Sequence, residues 1–286
     1  MELADTPFFP QERYQCGPAA LATLLNARGV VVAPDDLVSQ VYLPAREGSL
    51  QTEIVAAARR QGLLAVTVEP TLNALLAEIA AGHPVLVLQN LGLSWFPRWH
   101  YAVAMGYDLN RQELVLRSGT QPRRITPFDV FLNTWKRSGQ WGIVALAPVG
   151  FPAQVKPSTY LQSVSALERI GKQKEAREAY RASAEKWPDN PAAWMGLGNV
   201  EYALGDAEEA EAAFRHALDL PGSALAWNNL AYALAARQCP RMARTAARCA
   251  ARMSPEDPTV AHTLKDMENL PAAGDEPCLA LPACPN

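Results

Sequence analysis

The chain has 286 residues, 49% of them hydrophobic and 19% charged, and 26 basic residues stand against 29 acidic ones for a formal net charge of -3. That size and balance predict two globular domains and set disorder and fibrous structure aside. The charge offers no basic footprint for a polyanion, so nucleic acid is not an expected partner. No apolar stretch approaches the roughly 18–20 residues that span a bilayer. The opening MELADTPFFP lacks the basic and apolar regions of a secretory signal, so the chain is expected to be soluble, either cytosolic or trimmed of a targeting segment.

In chain order, the first half predicts helix 16–28, helices 34–42 and 50–61, strand 63–69, helix 71–81, and strands 84–89, 99–107 and 113–118. Helix 126–136 and strand 141–147 follow. Helices first and an antiparallel meander later point to an α+β domain. Gly82 ends one helix, and YDLNRQ at 107–112 is turn chemistry that makes 99–107 and 113–118 a hairpin. The run APVGFPAQVKPS, with three prolines and a glycine, is a linker at 151–156 after a domain spanning 1–150.

Beyond the linker strand signals vanish and the sequence repeats. Trp194 and Trp227 lie 33 residues apart, and that offset aligns Leu197 with Leu230, Gly198 with Ala231, Ala210 with Ala243 and Ala217 with Ala250. A period of 33–34 residues with this spacing resembles the tetratricopeptide repeat. Three units fit, 157–190, 191–223 and 224–257, with helix 258–268 as a cap and a Pro- and Cys-containing tail at 271–286. Prolines 188, 221 and 255 are placed to stop the second helix of each unit. Stacked hairpins would expose their first helices along a concave groove, with Asn199 and Tyr232 facing a protein partner.

Cys16 is alone in the first 238 residues, whereas Cys239, Cys249, Cys278 and Cys284 crowd into the last 48. The even set could form two disulfides in any of three pairings, or remain as small buried thiols. Cys16 is followed by Gly-Pro and an apolar helical pattern, which predicts a cysteine at a helix N-terminus. There the backbone N–H groups and the helix dipole would lower the thiol pKa and could hold an oxyanion. His100 opens the strand HYAVAMGYD, and a helix-start cysteine with a strand-start histidine is a Cys–His arrangement. His83, His216 and His262 lack comparable context. No Cys/His spacing suits zinc, no phosphate loop occurs, and neither a metal nor a cofactor is expected.

The runs PFFPQERYQCGPAALATLL, LLAEIAAGHPVLVL and HYAVAMGYDLNRQELVLRSG together resemble the bacteriocin-processing, double-glycine leader-peptidase family of papain-like cysteine peptidases and its stand-alone relatives, over residues 7–148. The resemblance implies a papain-like fold with Cys16 as nucleophile, His100 as base and Gln11 in the oxyanion hole, Gln15 being second choice. The family's orienting aspartate is missing from the strand after the histidine. With the hairpin turn centred near residue 109, Ser118 falls opposite His100 as a neutral orienter, while Asp108 lies about 26 Å along the strand. The expected activity is a cysteine peptidase, or related thiol hydrolase, acting on a peptide or protein, a chemistry that the residues alone do not separate from acyl transfer. The alternative is an inactive peptidase-like module that scaffolds a cell-envelope complex. Exported relatives and the clustered cysteines together imply a periplasmic or cell-envelope location, with the cytoplasm as the alternative.

Overall fold

A computed structural model describes residues 1–10, 16–220, 224–271 and 278–285. Two compact units divide the chain, Met1–Glu175 and Ala176–Asn286.

The first unit opens with three helices, α1 (Cys16–Asn26), α2 (Pro34–Val41) and α3 (Gln51–Arg60). A two-residue ribbon of β1 (Tyr42–Leu43) and β2 (Gly48–Ser49) separates α2 from α3. The main sheet comprises β3 (Leu64–Thr67), β4 (Val85–Asn90), β5 (Trp99–Asp108), β6 (Glu113–Ser118), β7 (Gln121–Pro127) and β8 (Gly142–Leu146). Its order is β3-β8-β4-β5-β6-β7, antiparallel throughout, with α4 (Leu72–Ala80) and α5 (Phe128–Lys136) inserted between strands.

The α+β architecture follows from where the apolar residues fall. Leu21, Leu24 and Leu25 of α1, Leu37 of α2 and Ile54 of α3 share one core with Leu86, Tyr101, Val103 and Ile143 of the sheet. Phe131 and Trp135 of α5 are fully buried, and the Trp135 indole N–H donates to the Trp141 carbonyl. Gly82, at a φ of 85° that other residues adopt only with strain, ends α4. Asp108 closes the β5–β6 turn by accepting from the Asn110 and Arg111 N–H groups.

Two expectations need correction. Residues 121–127 pair with β6 as a sixth strand where none was expected. The β5–β6 register is Asp108↔Glu113 and Val103↔Arg117 with a bulge between Ala104 and Gly106, so the turn centres beyond residue 109 and Ser118 is not the ladder partner of His100.

Composition and compactness divide the chain at different places. Helix α6 (Pro157–Arg169) opens the repeat half yet belongs to the first unit. It packs on β3, and the Tyr160 hydroxyl donates to the Pro148 and Gly150 carbonyls while its ring stacks on Phe151.

Helices α7 (Gln173–Lys186), α8 (Pro191–Leu204), α9 (Ala207–Leu218), α10 (Ala224–Ala236), α11 (Pro240–Met253) and α12 (Pro258–Glu268) complete the chain. The small residues of the repeat have a direct role. A Cβ on Gly196 would lie 2.2 Å from the Tyr180 ring, and one on Gly198 would lie 2.4 Å from Phe214. Two disulfides, Cys239–Cys278 and Cys249–Cys284, fasten the tail, whose Leu279 and Ala280 carbonyls accept from Arg215. Asn199 is exposed and accepts from Asn229, whereas the Tyr232 hydroxyl is engaged with Asp266.

Candidate active site

Cys16 is the first residue of α1, and Pro18 in the first turn lacks the N–H that would be unpaired there. It is the one free cysteine among the described residues. Gly17 is needed for close approach: a Cβ there would lie 2.2 Å from Ser49 Oγ and 2.6 Å from Ser49 Cβ. The ribbon that carries Ser49 thus presses against the start of α1. The Tyr101 hydroxyl fixes it there by donating to the Ser49 carbonyl at 3.0 Å.

Helix α1 packs against β5, and the Tyr101 backbone N–H is among the groups that pull the Cys16 thiol pKa down. Tyr101 follows His100 in the chain, so the thiol acts on the strand near the end that carries the histidine. The His100 ring engages Ser118: Nε2 and Oγ lie 2.8 Å apart, and the serine is 2% exposed. The contact expected from sequence is present although the register that led to it was wrong. It is made by side chains reaching diagonally past the ladder. With Nε2–H donating to the serine, Nδ1 is left as the basic nitrogen.

Burial dominates the electrostatics. It pushes the Cys16 thiol up from its ordinary value, against the opposing pull of the N–H groups of Tyr101, Gly17 and Cys16 itself. The lowered thiol pKa expected of a helix start is therefore not found, because loss of water outweighs the helix-end donors. His100 is pushed down to about 4, first by burial and then by the positive charges of Arg124 and Arg98. Thiol and imidazole are both neutral at rest.

Gln11 and Gln15 lie outside the described residues. The segment before them is strapped down, since Arg117 donates to the Ala4 and Thr6 carbonyls from the position next to Ser118. The other histidines serve elsewhere. His83 pairs with buried Glu78 at 2.8 Å, and the second oxygen of Glu78 accepts from the Ala153 N–H. His216 stacks on Trp194, and His262 lies 3.5 Å from Asp266. Among the described residues no three His, Cys, Asp or Glu side chains are grouped to hold a metal ion. Sequence reasoning passed over Ser49 and Arg117; their only signals were closeness to small residues and to Ser118.

A cysteine at a helix start and a histidine near the start of an antiparallel strand packed on that helix are the layout of the papain-like class. Comparison with known proteins makes the class specific. Residues 3–143 match the Peptidase_C39 like family, and residues 161–222 match the tetratricopeptide repeat. The first domain is thus similar to the C39-like peptidases, and a region similar to tetratricopeptide repeats follows it. Among solved structures, a protein from Bacillus anthracis described as a C39-like peptidase is similar at 18% identity, covering 51% of this chain and 96% of that one, with a TM-score of 0.43. The peptidase domain of Streptococcus ComA, a bi-functional ABC transporter of a quorum-sensing pathway, is similar at 19% identity, covering 49% of this chain and 98% of that one, with a TM-score of 0.41. None of the curated proteins matches the chain.

Proposed function

We propose that the chain is a cysteine peptidase that cleaves a peptide or protein segment, with Cys16 as nucleophile, His100 as general base and Ser118 as a neutral orienting group. The observation that carries this reading is the His100–Ser118 bond near the start of the strand that packs against α1, the helix that Cys16 begins. Because both groups rest neutral, the thiol proton passes to His100 Nδ1 as sulfur attacks the scissile carbonyl carbon. The oxyanion so formed takes hydrogen bonds from N–H groups at the start of α1 and from Gln11. The imidazolium then returns its proton to the leaving amine as the C–N bond breaks. Water, deprotonated by His100, hydrolyses the thioester and releases the acid. The repeats recruit a protein partner or the substrate's own chain, and the site of action is the periplasm or cell envelope.

A second reading, a peptide-binding module without turnover, is favoured by one feature: Ser118 carries no charge to stabilise an imidazolium that Arg98 and Arg124 already oppose. Labelling with a peptide-based thiol electrophile separates the two. The peptidase reading expects stoichiometric modification that is lost in Cys16→Ala and slowed in His100→Ala. Labelling indifferent to His100→Ala assigns the domain to binding.

A further inference from the structure

We propose that the loop between β4 and β5 is an interfacial anchor that docks the first domain on an anionic phospholipid surface, peripherally and without spanning it. The loop leads into His100, yet the chemistry above leaves its side chains unused. Leu93 is 51% exposed, Trp95 81%, Phe96 67% and Trp99 55%. Four large apolar side chains exposed within seven residues, three in the loop and Trp99 at the first position of β5, are unusual for a protein surface.

The loop is built to hold them there. Asn90, 1% exposed, accepts at Oδ1 from the N–H groups of Gly92 and Arg98, both at 2.9 Å, and its amide reaches the Leu93 carbonyl. Leu93 and Phe96 exchange two backbone hydrogen bonds at 3.1 and 3.2 Å, closing a tip with Ser94 and Trp95 at its end. The Trp95 and Phe96 rings stand 6.4 Å apart and tilted by 48°, so the tip presents separate wedges and not a flat stacked face. A fluid apolar layer moulds around such wedges, whereas a protein partner would need a matching cleft for each.

Charge selects the occupant. No Asp or Glu occurs between Glu78 and Asp108 or between Glu113 and Asp129. Arg98 at the base of the loop and Arg124 on β7 are exposed, have no carboxylate partner among the described residues, and lie close enough to His100 for both to act on it. Aromatic side chains in the interfacial layer with arginines at phosphate level are how proteins sit on anionic bilayers. Docked in this way, the mouth of the candidate site opens at the lipid surface.

The test is co-sedimentation of the full chain with vesicles of phosphatidylcholine alone and of phosphatidylcholine mixed with phosphatidylglycerol. Binding is expected to the mixed vesicles and to weaken as salt rises. Two arginines at about 1 kcal/mol each make Arg98→Gln with Arg124→Gln about thirtyfold weaker. Trp95→Ser with Phe96→Ser, exposed changes whose folding is checked by melting temperature, should abolish binding. Cys16→Ala, which removes the chemistry, should bind as the parent does, so failure of the peptidase reading and failure of this one are distinguishable. Absence of binding at low salt, equal binding to both vesicle types, or unchanged binding in the Trp95/Phe96 double variant would overturn the proposal. Loss of a soluble protein substrate's cleavage in that double variant, with no vesicle binding by the parent, would assign the loop to a protein and likewise overturn it.

Discussion

Replacing Ser118 by aspartate puts a carboxylate where a neutral hydroxyl now lies 2.8 Å from His100 Nε2. An opposite charge within about 4–6 Å raises a histidine pKa by roughly 1–3 units. The starting value is about 4, depressed by burial and by Arg124 and Arg98. Ser118→Asp should therefore bring His100 into the range of about 5–7, which stabilises the imidazolium by about 1.4–4 kcal/mol. A step whose transition state holds half of that proton on the ring gains half of this, a factor of roughly 3–30. The two arginines also help to offset the cost of burying the new charge.

Two measurements check the reasoning. An NMR titration of the His100 ring follows the pKa, and the alkylation rate of Cys16 by iodoacetamide across pH 5–9 follows the thiolate. Ser118→Asn, similar in size and neutral, is the control and should leave both nearly unmoved. If Ser118→Asp folds, melts within a few degrees of the parent and leaves the His100 titration where it was, the assignment of Ser118 as the orienting group is refuted.

Other perturbations probe other parts of the structure. His100 titrates in the folded chain at about 4, below the ~6.5 of an unfolded histidine, so the unfolded chain binds the proton first on acidification. Its contribution is intact above pH 6.5 and is lost progressively down to pH 4, by about 3 kcal/mol. Urea unfolding at pH 7.5 and pH 4 should show that much less acid loss in His100→Gln, and an identical acid loss would show that burial has been misjudged. Gly17→Ala drives a Cβ into Ser49 and should cost about 1–3 kcal/mol; Ser49→Gly should restore much of it, a coupling that a double-mutant cycle reads directly. The disulfides close loops of 39 and 35 residues, each worth about 4 kcal/mol by chain entropy, though the loops overlap and will not add in full. Calorimetry with and without reductant should show the transition of the second unit falling while that of the first holds, and a second-unit transition indifferent to reductant would mean that the tail adds no stability.

What the sequence conveyed and what it concealed divides along physical lines. The helix at Cys16, the strand at His100 and the paired helices of the repeat were legible because each rests on local periodicity and on Gly or Pro punctuation. Strand β7 was not: QPRRITP holds two prolines and two arginines, and Thr126 is its one buried residue. Such a strand exists because it lies at the sheet edge, where proline and charge are tolerated and no alternating pattern is required. The bulge between Ala104 and Gly106 carries no sequence signature strong enough to correct a register counted from the turn. The pairing Cys239–Cys278 and Cys249–Cys284 is equally beyond composition, because it depends on the path of the tail along α11.

The largest difference concerns the thiol, and it bears on how the proposed chemistry is controlled. A helix start contributes at most about 2 kcal/mol toward a thiolate. Cys16 is packed against Tyr101 and the α1 core, where losing water costs the charged form more. Ser118, lacking a charge, does not repay the ring for protonation. Neither partner is ionised at rest, so the thiol is protected from indiscriminate oxidants and alkylators that attack thiolates. A carbonyl brought to the start of α1 changes that balance, since the developing oxyanion takes the N–H groups and gives the sulfur's proton reason to move to His100. In the proposed reaction, reactivity is conferred by the bound substrate and withheld from small molecules that do not supply an oxyanion.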